Sequence, residues 1–301
     1  MSLIVTGSIG IDSVETPTGS VDDVLGGSSI YFAAAASFFG PVRVVGAVGE
    51  DFPDAFMDTF RHFDIDLSGI ERRTGSRTFR WHGRYMQNMN IRETVSVQLN
   101  VLAEDLPPVP ESYRDSQYVF LANTDPASQM KLLSQFPHCK LSVADTMDLW
   151  INTQKDQLTQ LMTKVDGLVL NNDEAEQLTG ETNVILAAEK IVGMGPPFVV
   201  VKKGEHGAMV EHSGAKVVLP AFPAGNVVDP TGAGDCFAGG MMGYLAATGD
   251  LSLPALRMAM AYGTIVASFN IESFSLDRLR QLTRAEIDAR LGQYRAMLDI
   301  G

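Results

Sequence analysis

The sequence predicts an α/β protein, a three-layer α/β/α sandwich around a mostly parallel central sheet, with a small β lid attached. Three observations carry this. Short runs that are apolar throughout alternate with helix-like stretches over most of the 301 residues, as expected of parallel strands buried on both faces. The rhythm breaks once, between Gly75 and Val101, where two exposed strand-like runs flank a polar connection. From Asp235 onward the pattern is almost entirely helical.

Taken in order, Leu3 to Thr6 reads as the first strand, with no basic leader and no long apolar core before it. Ser13 to Val24 is a short exposed piece suited to pairing with the lid. Ser28 can cap a helix that runs to Phe39 and stops at Gly40, with Pro41 following; Pro53 can open another that runs to about Phe63. Val42 to Ala47, Tyr118 to Ala122, Leu141 to Ala144, Gly167 to Leu170 and Phe198 to Val201 supply further strands. In the lid, Arg77 to Tyr85 and Thr94 to Val101 are joined by Met86 to Arg92. The expected organisation is one domain over residues 1–301, its lid formed by about 13–24 and 75–101.

Composition narrows the function. With 45% hydrophobic and 20% charged residues the chain has enough core for an enclosed cleft, and its net charge of -13 disfavours nucleic acid and anionic membranes. The most membrane-like stretch, Ile30 to Gly49, is interrupted by Gly40, Pro41 and Arg43. Cys139 and Cys236 are the only cysteines, too few for a disulfide framework, which points to the reducing cytoplasm. The five histidines show no metal-ligand spacing.

The sharpest chemical signal is Asp229-Pro230-Thr231-Gly232-Ala233-Gly234-Asp235, leading directly into a helix. Two glycines around Ala233 free backbone N–H groups to converge, and the positive helix N-terminus adds to them, making an anion site. Asp235, in the first turn, is expected to stay ionised within reach of a hydroxyl that attacks a phosphoryl group held there. A tight connection between elements is the bland alternative for any such turn.

All seven positions, with Phe237-Ala238-Gly239-Gly240, match the C-terminal signature of the ribokinase-like (PfkB) carbohydrate and nucleoside kinases, and the resemblance extends along nearly the whole chain. It implies ATP and Mg²⁺ as cofactors, transfer of the γ-phosphate to a small polyhydroxy substrate (sugar, nucleoside or cyclitol), Asp235 as general base, and Gly232, Ala233 and Gly234 at the transferred phosphoryl. Asp12 in Gly7-Ser8-Ile9-Gly10-Ile11-Asp12 resembles the family's substrate-side aspartate, and Gly26-Gly27 its glycine pair; a turn is the alternative for each. Asn171-Asn172-Asp173-Glu174 is similar to the Asn-x-x-Glu motif, which implies Asn171 near the nucleotide and Glu174 toward Mg²⁺ through water, or equally a capped helix start. Lys202, Gly204 and Gly207 match the segment along the nucleotide, and Gly263 falls in the Ala259 to Ser268 stretch that resembles the adenine-pocket helix. The resemblance also puts a monovalent cation, potassium, near Asp229 and Thr231.

The chain departs from the family where many members carry an asparagine: Tyr31 stands there. Neither Gly-x-Gly-x-x-Gly after the first strand nor Gly-x4-Gly-Lys-Ser/Thr occurs, which disfavours a dinucleotide oxidoreductase and a P-loop kinase. A catalytically silent sugar- or nucleotide-binding regulator on the same fold stays open.

Family members often dimerise through the lid, so a homodimer is expected by resemblance. The pleat places Arg77, Phe79, Trp81 and Tyr85 on one lid face and Thr78, Arg80, His82 and Arg84 on the other. The aromatic face is expected to be covered by a neighbouring lid or the main domain. At least one arginine of the opposite face is expected to point toward the cleft.

Overall fold

The computed structural model describes residues 2–299. The chain opens with β1 (Leu3–Thr6), the hairpin β2 (Gly10–Thr16) and β3 (Gly19–Gly26), α1 (Ser28–Ser37), β4 (Val42–Gly49), α2 (Asp54–His62), β5 (Ile65–Asp66) and β6 (Ile70–Arg73). Then come β7 (Phe79–Tyr85), β8 (Arg92–Gln98), β9 (Tyr118–Leu121), α3 (Pro126–Leu133), β10 (Leu141–Asp145), α4 (Asp148–Thr153) and α5 (Lys155–Met162). The second half runs β11 (Gly167–Asn171), α6 (Asn172–Thr179), α7 (Val184–Gly193), β12 (Phe198–Lys202), β13 (Ala208–His212) and β14 (Ala215–Leu219). Four helices finish it: α8 (Ala233–Thr248), α9 (Leu253–Asn270), α10 (Asp277–Gln281) and α11 (Arg284–Leu298).

The central sheet has the order β14-β13-β12-β11-β10-β9-β1-β4-β5, with β6 also on β4. Strands β12 through β5 pair in parallel; β13 and β14 turn back antiparallel at one edge. The all-apolar runs of the sequence have a direct cause here. Alternate residues of each strand enter two separate cores: Leu3, Val5, Tyr118, Phe120 and Val200 pack with α1, α8 and α9, whereas Ile4, Val119, Leu121, Val199 and Val201 pack with α3, α5, α6 and α7.

Helix α8 is gripped between α1 and α9 at glycines. A Cβ on Gly239 would lie 2.3 Å from the Phe32 carbonyl oxygen, and one on Gly240 would lie 3.0 Å from Gly263 Cα. This close packing fixes the N-terminus of α8, and with it Asp235, relative to the sheet.

Several boundaries differ from expectation. Gly27, with φ 101, is the residue before α1, and Ser28 is its first helical residue; the Ser28 hydroxyl pairs with that of Ser8 at 3.0 Å instead of capping. The 13–24 segment is most of a two-stranded hairpin that extends to Gly10 and Gly26, so Asp12 and the glycine pair belong to the lid's base. The lid sheet runs β3-β2-β7-β8, its β2 and β7 parallel. Strand β8 begins at Arg92 because a turn closed by Met86 N–H on the Ile91 carbonyl, at 2.9 Å, uses up only residues 87–90. Val101 lies in a short 3-10 turn, Asn100–Ala103.

Candidate active site

The C-terminal ends of the parallel strands converge on one line, where ligands of open α/β sheets bind. Asp145 ends β10, Asn171 ends β11 and Lys202 ends β12, with Asn171 opposite Lys202 in the register. Facing them is the turn 229–232 and the first turn of α8.

That turn is held from below and behind. Gly232, at φ 74, packs on the Tyr31 ring, so closely that a Cβ would lie 2.3 Å from it. Asp229 accepts from the Thr231 amide at 2.8 Å, and Asn270 Nδ2 donates to the Thr231 carbonyl at 2.8 Å. Gly232 brings no side-chain acceptor to the start of α8, and the amides of Gly234 and Asp235 have no acceptor among the described residues. They are two free donors at a helix N-terminus.

A cavity of about 480 Å³ opens beside them. Lys202, Gly204 and Gly207 form one wall, Ala233 and Gly234 the floor, and Phe222, Thr264, Ala267 and Ser268 the far end. Gly207 has φ 88, and a Cβ there would meet the Leu219 carbonyl at 2.0 Å, so this tight bend requires glycine. The lid tip reaches the same cavity: Asn88, Met89 and Asn90 line it, and Asn90 Nδ2 donates to Glu205 Oε1 at 3.1 Å. Gly263 lies in the α8–α9 contact against Phe237, and its neighbour Thr264 faces the cavity instead.

Four ionisable groups crowd the cleft floor. Burial, then the neighbouring Asp145 charge, pushes Asp235 up to about 8, against the opposing pull of Lys202 and Arg92. The expectation of a permanently ionised Asp235 therefore gives way to a basic carboxylate that titrates near neutrality. Burial likewise raises Glu174 to about 7, opposed by Lys202. Asp145 is raised by burial and pulled back by Lys202. Burial works against the Lys202 charge, but Asp145, Glu174 and Asp235 outweigh it and hold the ammonium above its usual range. Glu174 also closes a capping box, accepting from Asn171 N–H at 2.7 Å while Asn171 Oδ1 accepts from Glu174 N–H at 2.8 Å.

On the lid side, Asp12 is buried with Oδ1 unpartnered, and burial, then Asp229, raises it to about 7. A Cβ on Gly26 would lie 1.9 Å from Asp12 Oδ2, so the glycine pair makes room for this carboxylate. Gly27 packs on the Ser8 carbonyl, 2.5 Å from where its Cβ would stand. The Tyr31 hydroxyl is also buried without a partner.

The lid faces are sorted as the pleat requires, with one reversal. Asp12 sits opposite Trp81, and Tyr85 opposite Arg92, so these four share a face. Tyr85 crosses to the main domain, where its hydroxyl accepts from Thr231 Oγ1 at 3.3 Å. Arg80 and Arg84 lie on the outer face, neutralised by Asp23 at 2.6 Å and Glu15 at 2.8 Å. They do not point to the cleft, because acidic residues of the same small sheet satisfy them locally. Arg92 does: it lies 5.6 Å from the Trp81 ring centroid, has no carboxylate within 4.0 Å among the described residues, and its charge is felt at both Asp235 and Glu174.

Sequence reasoning missed Asp145, Arg92 and the specific contact of Tyr85 with Thr231, though it expected the aromatic face that carries Tyr85 to be covered by a neighbouring lid or the main domain. Asp145 had a readable signal, a carboxylate at the end of a buried apolar strand; the expected strand stopped one residue short of it. The other two depend on lid register.

Comparison with known proteins places this geometry. A Thermococcus kodakarensis cytidine kinase is 29% identical over 250 residues, covering 81% of this chain and 88% of its own. Among solved structures, a Burkholderia thailandensis nucleoside kinase in complex with inosine aligns with a TM-score of 0.77 at 18% identity, covering 97% of each chain. The Salmonella enterica aminoimidazole riboside kinase, complexed with aminoimidazole riboside and an ATP analogue, aligns with a TM-score of 0.77 at 18% identity, over 97% of this chain and 100% of its own. The model of the pfkB family of carbohydrate kinases matches residues 11–276. With that match covering most of the chain, and a ribokinase-like fold around the anion turn, this protein belongs to the pfkB family and is a phosphotransferase of the sugar and nucleoside kinase type.

Proposed function

We propose that this protein is a nucleoside kinase that transfers the γ-phosphate of ATP, with Mg²⁺, to a sugar hydroxyl of its acceptor. One observation carries the reading: Asp235 carries one of the two free amides of the cradle, and both the Lys202 ammonium of the cavity wall and the Asp12 carboxylate of the lid's base act on its charge. The acceptor oxygen attacks the γ-phosphorus, its proton passes to the Asp235 carboxylate, the bond to the β,γ-bridging oxygen breaks, and ADP leaves. In its ionised form a carboxylate raised toward 8 is a stronger proton acceptor than an ordinary one. The amides of Gly234 and Asp235, with Lys202, offset charge on the equatorial oxygens. Asp12 orients the sugar. The similarity to a cytidine kinase supports a nucleoside over a polyol.

The residues fit the cofactors. Glu174 uses Oε2 to cap α6, and no hydrogen bond from the described residues claims its other oxygen. Mg²⁺ keeps several waters and binds through one or two carboxylates together with phosphates, so the unclaimed oxygen of Glu174 suits it. Glu174 would hold it through water; when bound it would supply charge neutralisation to the nucleotide phosphates. Asp229 Oδ2 and Asn270 Oδ1 are buried without partners beside the turn, and fit a potassium ion with Thr231.

We also place the protein in the cytoplasm and assign the exposed apolar edge of the lid, Val95, Val97 and Leu99, to a homodimer contact; sedimentation over a concentration series tests the latter. No helix among the described residues is long and apolar enough to cross a membrane.

A panel of nucleosides, sugars and cyclitols assayed for ATP consumption tests the function. Turnover of a nucleoside, lost in Asp235→Asn, is expected. A sugar or cyclitol turned over in preference refutes the acceptor class, and no turnover of any acceptor refutes the kinase.

A further inference from the structure

Lys202 Nζ stands 3.6 Å from Asp145 Oδ2, with the two side chains 17% and 6% exposed. The same ammonium lies against the phosphate cradle: a Cβ on Gly234 would be 2.9 Å from it. We propose that Asp145 is a positioning residue that holds the Lys202 ammonium against Gly234, where the terminal phosphates of the nucleotide are bound. The inference rests on the ATP-binding reading above.

Four features argue for it. Asp145 is itself fixed: Oδ1 accepts from the Thr146 amide at 2.9 Å, leaving Oδ2 turned to the lysine, and Gln129 Nε2 donates to the Asp145 carbonyl at 2.9 Å. A lysine has a flexible four-carbon stem and no preorganised fork, so a buried one takes its direction from its partner. Without Asp145 the remaining carboxylates are Glu174 and Asp235, and pairing with either would draw the charge away from the cradle or onto the base. The 3.6 Å separation is also longer than a tight charge-assisted bond of about 2.8 Å, so the lysine donors are not fully claimed and can meet phosphate oxygens.

Calorimetric titration with ADP and Mg²⁺ tests this without turnover, on the full chain and on Asp145→Asn, Lys202→Met and the double variant, each shown folded by its melting curve. Each single change is expected to weaken ADP about ten- to a hundredfold, the worth of one charge-assisted hydrogen bond. The double variant is expected to bind within about twofold of Lys202→Met, because Asp145 acts through the lysine. Asp145→Glu, which keeps the charge, is expected to retain more affinity than Asp145→Asn, and it carries the test if the latter does not fold. Unchanged or tighter ADP binding in Asp145→Asn, or losses that multiply in the double variant, overturns the inference. Wild-type protein that binds no nucleotide overturns the ATP reading as well, and is distinguished from the other outcomes by that alone.

Discussion

Replacing Asp235 by asparagine should make the protein more stable and nearly inactive, and the two effects should separate with pH. In the native cleft the carboxyl is held near 8, whereas the unfolded chain releases its proton near 3.8. Between these values the native state binds a proton that the unfolded state does not, so stability falls as pH rises. Each unit is worth about 1.4 kcal/mol, and four units give an upper bound of about 6 kcal/mol. Asp235 is only half-buried, and water entering the cleft reduces this to about 1–3 kcal/mol. Asparagine removes the penalty. Its melting temperature should exceed wild type by a few degrees at pH 8, with the gain shrinking toward zero near pH 4. Meanwhile kcat should fall by about 10² to 10⁴, with ADP binding retained. Calorimetric melting from pH 4.5 to 8.5, with initial rates under saturating ATP, reads both. A gain independent of pH refutes the electrostatic account, and kcat within a few-fold of wild type refutes the base.

Glu174→Gln should raise the Mg²⁺ concentration needed for half-maximal rate, since the carboxylate supplies charge and not just a cap; an unchanged Mg²⁺ titration contradicts this. Arg92→Gln should lower kcat or acceptor affinity while Arg80→Gln and Arg84→Gln do not, because only Arg92 lacks a local carboxylate; equal effects from all three refute the assignment of faces. Gly239→Ala should destabilise by about 2 kcal/mol despite alanine's higher helix propensity, because its Cβ must displace the Phe32 backbone carbonyl; a melting temperature at or above wild type shows that α1 and α8 can separate freely.

The sequence by itself determined the layers, most of the strands and the anion turn, because these are written in contiguous residues. Strands buried on both faces must be apolar throughout, and a helix start with free amides is written in its glycines and its missing side-chain cap, so Phe198 to Val201 and Gly232 to Asp235 announce themselves locally. What only the tertiary structure decided is which charges meet. Asp145 and Lys202 end strands separated by β11; Arg92 reaches the cleft because a four-residue turn sets it opposite Tyr85; Arg80 and Arg84 are removed from the cleft by Asp23 and Glu15 elsewhere in the small sheet. The same holds for the ionisation of Asp235, which the first turn of a helix would keep charged and which burial beside Asp145 instead raises. Backbone form follows from local sterics and hydrophobic periodicity, whereas Coulomb energy and desolvation depend on through-space neighbours, and those are chosen by register and packing across the whole chain.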